Sequence, residues 1–249
     1  MLKRMLRFTI IATSALVGLA QAAPVVFFGE NQAPGQRTVG APATARAAFL
    51  ANLTAGVGTE TFETRTTGAT APLPIAFPGS SGNITATIGG SGIVFQSPSR
   101  AGRFNTTGAS AAPVAGKWWQ VSGTFDITFD LAISAFGFYG TDIGDFGGRV
   151  TITLTDVDNN LTLLNIDNTI GATDGSLLFW GFVDTTKAYT KISFGNTSTN
   201  GTDVFGFDDM VIGDRQQIGP PGNNVPEPGT LALLGLALAG AGIARRRAV

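Results

Sequence analysis

The chain has 249 residues, with 16 Lys and Arg, 17 Asp and Glu, no His and no Cys. That length holds one domain of ordinary to large size or two small ones. The two missing residue types exclude a Ser-His-Asp triad, a Cys nucleophile, zinc held by thiolate or imidazole, and any disulfide.

Residues 1–7 (MLKRMLR) carry three positive charges, residues 8–20 are apolar, and Ala20-Gln21-Ala22 follows. This is the layout of a secretory signal peptide, with small residues at Ala20 and Ala22 for signal peptidase to cut behind. As a helix the apolar run spans roughly 20 Å, short of a bilayer core of about 30 Å. The mature body then begins at Ala23 and, without cysteine, is held by burial or by metal.

Six of the basic residues are Lys3, Arg4, Arg7, Arg245, Arg246 and Arg247. The remaining ten face all 17 acids, a formal −7, and no basic stripe offers a footprint for nucleic acid.

Residues 42–53 (PATARAAFLANL) read as the one helix of the body. Pro42 suits a first turn, and Phe49, Leu50 and Leu53 share a face. From there the pattern is short strands between Gly, Ser and Pro clusters: 59–65, 83–88, 92–96, 124–130, 133–139, 149–155, 161–166, 177–183, 190–194 and 205–212, with 25–28 before the helix. The alternation is cleanest at 124–130 (TFDITFD) and 149–155 (RVTITLT). There is no βαβ alternation and no fixed-period repeat. The expected fold is all-β, an antiparallel jelly-roll-like β-sandwich over residues 23–212, with 18 Phe for its core.

Three constellations could carry chemistry. In 205–212 (FGFDDMVI) strand alternation sends Asp208 and Asp209 to opposite faces, and an inward carboxylate needs a partner. Jelly-roll modules often hold a structural Ca²⁺ between first and last strands. The 59–65 strand offers Glu60 and Glu63, so Glu63 with Asp208 or Asp209 is a candidate Ca²⁺ site. The loop 139–148 (YGTDIGDFGG) brings Asp142 and Asp145 among glycines, a composition that suits a turn with Asp side chains on local backbone. In Lys117-Trp118-Trp119-Gln120 the adjacent indoles face opposite ways, one into the core and one outward, where it could stack on a sugar ring. Glycosidase chemistry requires two carboxylates about 5–10 Å apart across a cleft, and no motif marks such a pair. The body is therefore expected not to be an enzyme.

Residues 213–224 (GDRQQIGPPGNN) read as a polar Pro/Gly linker. The tail, 225–249, has three parts. Residues 225–230 (VPEPGT) are stiff and non-helical, since Pro226 and Pro228 fix their own φ and restrict the residue before them. Residues 231–244 (LALLGLALAGAGIA) form an apolar, Gly-thinned transmembrane helix, and Arg245, Arg246 and Arg247 end it on the cytoplasmic side.

A Pro-Glu-Pro motif, a short hydrophobic helix and a terminal basic cluster, in that order, resemble the PEP-CTERM sorting signal of Gram-negative bacteria. The resemblance implies that exosortase, a membrane-embedded transpeptidase-like enzyme, recognises Pro226, Glu227 and Pro228 and cuts at or near them. It also implies transient anchoring in the inner membrane and release to the cell surface or an exopolysaccharide matrix. The stretch from Phe136 to Gly148 and the closing FGFDDMVIG resemble a domain common among PEP-CTERM cargo proteins, over roughly residues 45–213. The expected function is that of an exported structural or adhesive protein. The alternative is a Ca²⁺-stabilised carbohydrate-binding module acting on exopolysaccharide.

Overall fold

The computed structural model describes residues 23–32, 40–54, 56–97, 116–171, 176–198 and 204–219. Two antiparallel sheets face each other. The first contains β1 (Val25–Asn31), β11 (Leu177–Val183), β8 (Ala135–Thr141), β13 (Phe205–Gly213), β6 (Gly116–Val121) and β5 (Ile93–Ser97), in that spatial order. The two-residue β2 (Thr59–Glu60) also pairs with β13. The second runs β10 (Leu161–Asn165), β9 (Val150–Asp156), β12 (Tyr189–Asn196), β7 (Phe125–Ile133), β4 (Gly82–Gly90) and β3 (Leu73–Gly79). The β-sandwich read from the alternation is the fold. Among the described residues no helix is long and apolar enough to cross a membrane; both expected membrane helices lie outside them.

The core between the sheets is aromatic. Phe125 and Phe194 stack at 4.2 Å with their rings 7° from parallel, and Phe207 meets Phe125 edge-on at 4.9 Å. Phe138 closes on Phe194 at 5.6 Å. The strands with clean alternation supply one buried face each: Phe125, Ile127 and Phe129 from β7, and Val150, Ile152 and Leu154 from β9.

Every residue of β8, β11 and β13 is buried, because the outer face of the first sheet is covered too. Helix α1 (Ala41–Leu50) lies there, with Pro42 in its first turn. Phe49 is fully buried against Phe27 and Phe179, at 5.8 and 5.6 Å between ring centroids. It rests over Gly137 and Gly181, where an added Cβ would lie 3.1 Å from the Phe49 ring. This explains glycines in the middle of two central strands: they form the notch that receives the helix.

Four expectations change. Helix α1 ends at Leu50, and Leu53 instead makes a β-bridge with Ile218. The strand expected at 59–65 stops at Glu60, because Phe62 turns the chain at φ 57° and the Glu60 carboxylate accepts its N–H at 2.6 Å and pairs with Arg65. Strand β3 has no counterpart in the sequence reading, since Pro74 and Pro78 argue against a strand. It is an edge strand, where a missing N–H goes unnoticed. Finally, much of the expected 213–224 linker belongs to the body.

Candidate functional site

The chain leaves the sandwich through a clamp. After β13, Asp214 caps a short 3₁₀ turn, η1 (Arg215–Gln217), in a reciprocal capping box: its carboxylate accepts the N–H groups of Gln216 and Gln217, and the Gln217 side chain accepts the Asp214 N–H. The same carboxylate accepts the Ser80 N–H at 2.7 Å from the β3–β4 turn, and Ser80 Oγ donates to Gln216 at 2.9 Å. Burial raises the Asp214 pKa, but the hydrogen bonds from Ser80, Gln217 and Gln216 outweigh it and hold the carboxyl below its ordinary value. Gln217 Nε2 donates to the Pro78 carbonyl at 3.1 Å, and Arg215 donates to the carbonyls of Thr185 and Thr186. The Thr54 N–H reaches the Gln217 carbonyl at 2.8 Å, and the Gly219 N–H reaches the Asn52 carbonyl at 2.8 Å. Both sheets and the end of α1 therefore grip residues 214–219.

Asp208 and Asp209 are both buried. They are not an alternating pair. The register between β13 and β8 shifts between Asp208 and Val211, and Asp209 takes φ 49°. The bulge adds one residue and reverses the alternation, so Met210 enters the inter-sheet core with Phe205 and Phe207 while Val211 faces the cluster under α1. Asp209 donates its N–H to Asp208 Oδ1 at 2.8 Å, and its own Oδ1 has no hydrogen-bond partner. Burial pushes its carboxyl up to about 6; nearby Arg46 opposes this and nearby Glu63 adds to it. Arg46 also lies 5.8 Å from the centre of the Tyr139 ring, and burial pushes the Tyr139 hydroxyl up to about 12 against the pull of Arg46.

Glu63 thus comes near Asp209, as the calcium reading required, but its Oε1 accepts the Lys117 N–H at 3.1 Å. Among the described residues no three metal-ligating side chains gather to hold an ion. The cation near Asp209 is the Arg46 guanidinium. Sequence reasoning missed Arg46, which α1 carries onto the sheet from more than 160 residues away.

The outward-facing indole expected at Trp118 or Trp119 is not there to stack on a sugar. Trp119 joins the inter-sheet core beside Phe62, Trp118 packs on Phe95 at 5.4 Å, and both are fully buried. Alternation sends them to opposite faces, but solvent reaches neither. In the 139–148 loop Ile143 and Phe146 are buried, and Phe146 meets Phe205 at 4.9 Å, so the loop seals the sandwich end opposite the clamp. Ala20, Ala22, Pro226, Glu227, Pro228, Arg245, Arg246 and Arg247 lie outside the described residues.

Residues 224–248 match the family model described as the PEP-CTERM protein-sorting motif. The chain carries a PEP-CTERM sorting signal. That motif implies an exported protein, anchored through its C-terminus and processed by exosortase. No curated protein matches the chain. Among solved structures, a family 29 carbohydrate-binding module is 12% identical over 68% of this chain and 96% of its own, with a TM-score of 0.30. TmCBM61, solved in complex with β-1,4-galactotriose, is 12% identical over 41% of this chain and 72% of its own, with a TM-score of 0.21.

Proposed function

We propose that this PEP-CTERM protein is a non-catalytic structural or adhesive component of the cell surface or the extracellular matrix of a Gram-negative bacterium. Signal peptidase frees Ala23, the tail anchors the folded body in the inner membrane, and exosortase then processes it near Pro226-Glu227-Pro228. The observation that carries this reading is the sorting motif at 224–248, set directly behind a sandwich that is closed up to Gly219. Exopolysaccharide is the proposed neighbour of the released body. The alternative of a calcium-stabilised sugar-binding module has less support, because Trp118 and Trp119 are buried and the cation near Asp209 is Arg46.

Intact-mass measurement of the protein from its own cells tests the proposal. The expected product begins at Ala23 and ends at or near residues 226–228. A product that keeps residues 1–22 or the whole 229–249 tail overturns it.

A further inference from the structure

Resting on that reading, we infer that the clamp sets the orientation of the body: the sandwich end formed by Asn52, the β3–β4 turn and residues 214–219 is the face presented to the membrane-embedded processing enzyme. The reasoning is one of lengths. Gly219 is the last described residue and is held to the body at Asn52, and six residues, 220–225, separate it from Pro226 in the sequence. Fully extended, the steps from Gly219 to Pro226 span no more than about 25 Å, whereas a chain free from Gly213 onward would reach about 45 Å. A domain of about 200 residues is about 40 Å across. The longer tether would let any face of the body turn toward the bilayer. The shorter one cannot carry the motif around the body, so the clamp end faces the enzyme.

The clamp is also what makes the tether short. Asp214 takes hydrogen bonds from Ser80, Gln216 and Gln217, and Gln217 binds the Pro78 carbonyl from the same end. Releasing these contacts, and with them the Leu53–Ile218 bridge and the Gly219–Asn52 hydrogen bond, adds the reach of residues 214–219 without changing the linker's sequence.

The test is processing of the full chain in cells that contain exosortase, read as the ratio of precursor to product by intact mass. Deleting residues 220–223 is expected to lower the processed fraction at least tenfold. Replacing the same four residues with Gly-Ser-Gly-Ser keeps the wild-type fraction. Adding Asp214→Ala and Gln217→Ala to the deletion restores most of it. A deleted chain that is processed like wild type overturns the inference, as does a deletion that the two substitutions do not rescue while the body retains its thermal transition.

A second measurement bypasses both changes. The chain has no cysteine, so Ser81→Cys in the β3–β4 turn and Ser122→Cys at the far end each carry a single photo-crosslinker on the anchored protein. Ser81→Cys is expected to capture membrane lipid or enzyme and Ser122→Cys neither; equal capture from both ends refutes the orientation. If wild type itself stays unprocessed and Glu227→Ala changes nothing, it is the sorting reading that fails, and the crosslinks still report which end lies toward the bilayer.

Discussion

Phe49 is the largest buried side chain of α1, and Phe49→Ala tests whether the glycine notch is what seats the helix. The ring is fully buried between Phe27, Phe179 and the backbones of Gly137 and Gly181. Removing it leaves a cavity on a sheet face, with an expected loss of about 3–5 kcal/mol. For a body of this size that corresponds to a fall in Tm on the order of 10 °C. The converse change, Gly137→Ala, places a Cβ 2.9 Å from the Phe179 ring and 3.1 Å from the Phe49 ring, closer than side chains pack. Overpacking of this kind costs about 1–3 kcal/mol. The two penalties share one space, so they should not add. With Phe49 truncated, Phe179 can withdraw from the new methyl, and the double variant is expected to be more stable than the sum by about 1 kcal/mol. Urea unfolding of the purified protein, with the slope checked across all four proteins, measures this. Additivity within about 0.3 kcal/mol would refute the notch as the seat of α1.

Two further outcomes follow from the geometry. Gly92 takes φ 138°, and a Cβ there would lie 2.4 Å from ring carbons of the fully buried Trp119. Gly92→Ala is therefore expected to destabilise by about 2–5 kcal/mol and to shift Trp fluorescence; a urea midpoint within error of wild type would show that Trp119 can move. Asp209 concerns pH. Its folded pKa is raised from 3.8 to about 6, so between those values the folded state holds a proton that the unfolded state has lost. Stability then falls as pH rises from about 4 to 6, by up to about 3 kcal/mol, and the penalty stays in full above 6. Asp209→Asn should flatten that slope, read as the Tm difference from wild type at pH 4, 5, 6 and 7. Equal slopes in both proteins would show that Asp209 does not hold the proton.

The sequence made the sandwich legible wherever one sheet face was apolar and the other polar, as in β7 and β9. It also located β11, at 177–183, as a continuous apolar run, but not the reason for that run, which is that α1 covers the outer face. What stayed illegible was tertiary. Whether Trp118 meets solvent depends on what lies over its sheet face, and alternation says only which way it points. The Asp208-Asp209 pair looked like two opposite-facing residues because nothing local announces a bulge; the register of β8 imposes it. The clamp was partly readable. Asp214 followed by Gln217 is a capping-box spacing, and the Pro and Gly around it drew the reading toward a loose linker. Its grip on Ser80 and Asn52, each more than 130 residues away, had no local signature.

The position of β13 ties folding to sorting. Among the described residues, β6 and β5 connect to β8, β11 and β1 in the first sheet only through β13, and β13 is the last strand. Without residues 205–213 that sheet is in two pieces and the Phe207 and Phe205 rings are missing from the core. Closing it requires contacts between distant parts of the sequence, which form late. The clamp follows immediately, since Asp214 is next in the chain. With β13 in place the clamp holds residues 214–219, so the motif reaches no more than about 25 Å from Gly219. Exosortase then meets a finished sandwich held at short range. A body that fails to place β13 has no anchor for residues 214–219, and its motif then has the longer reach.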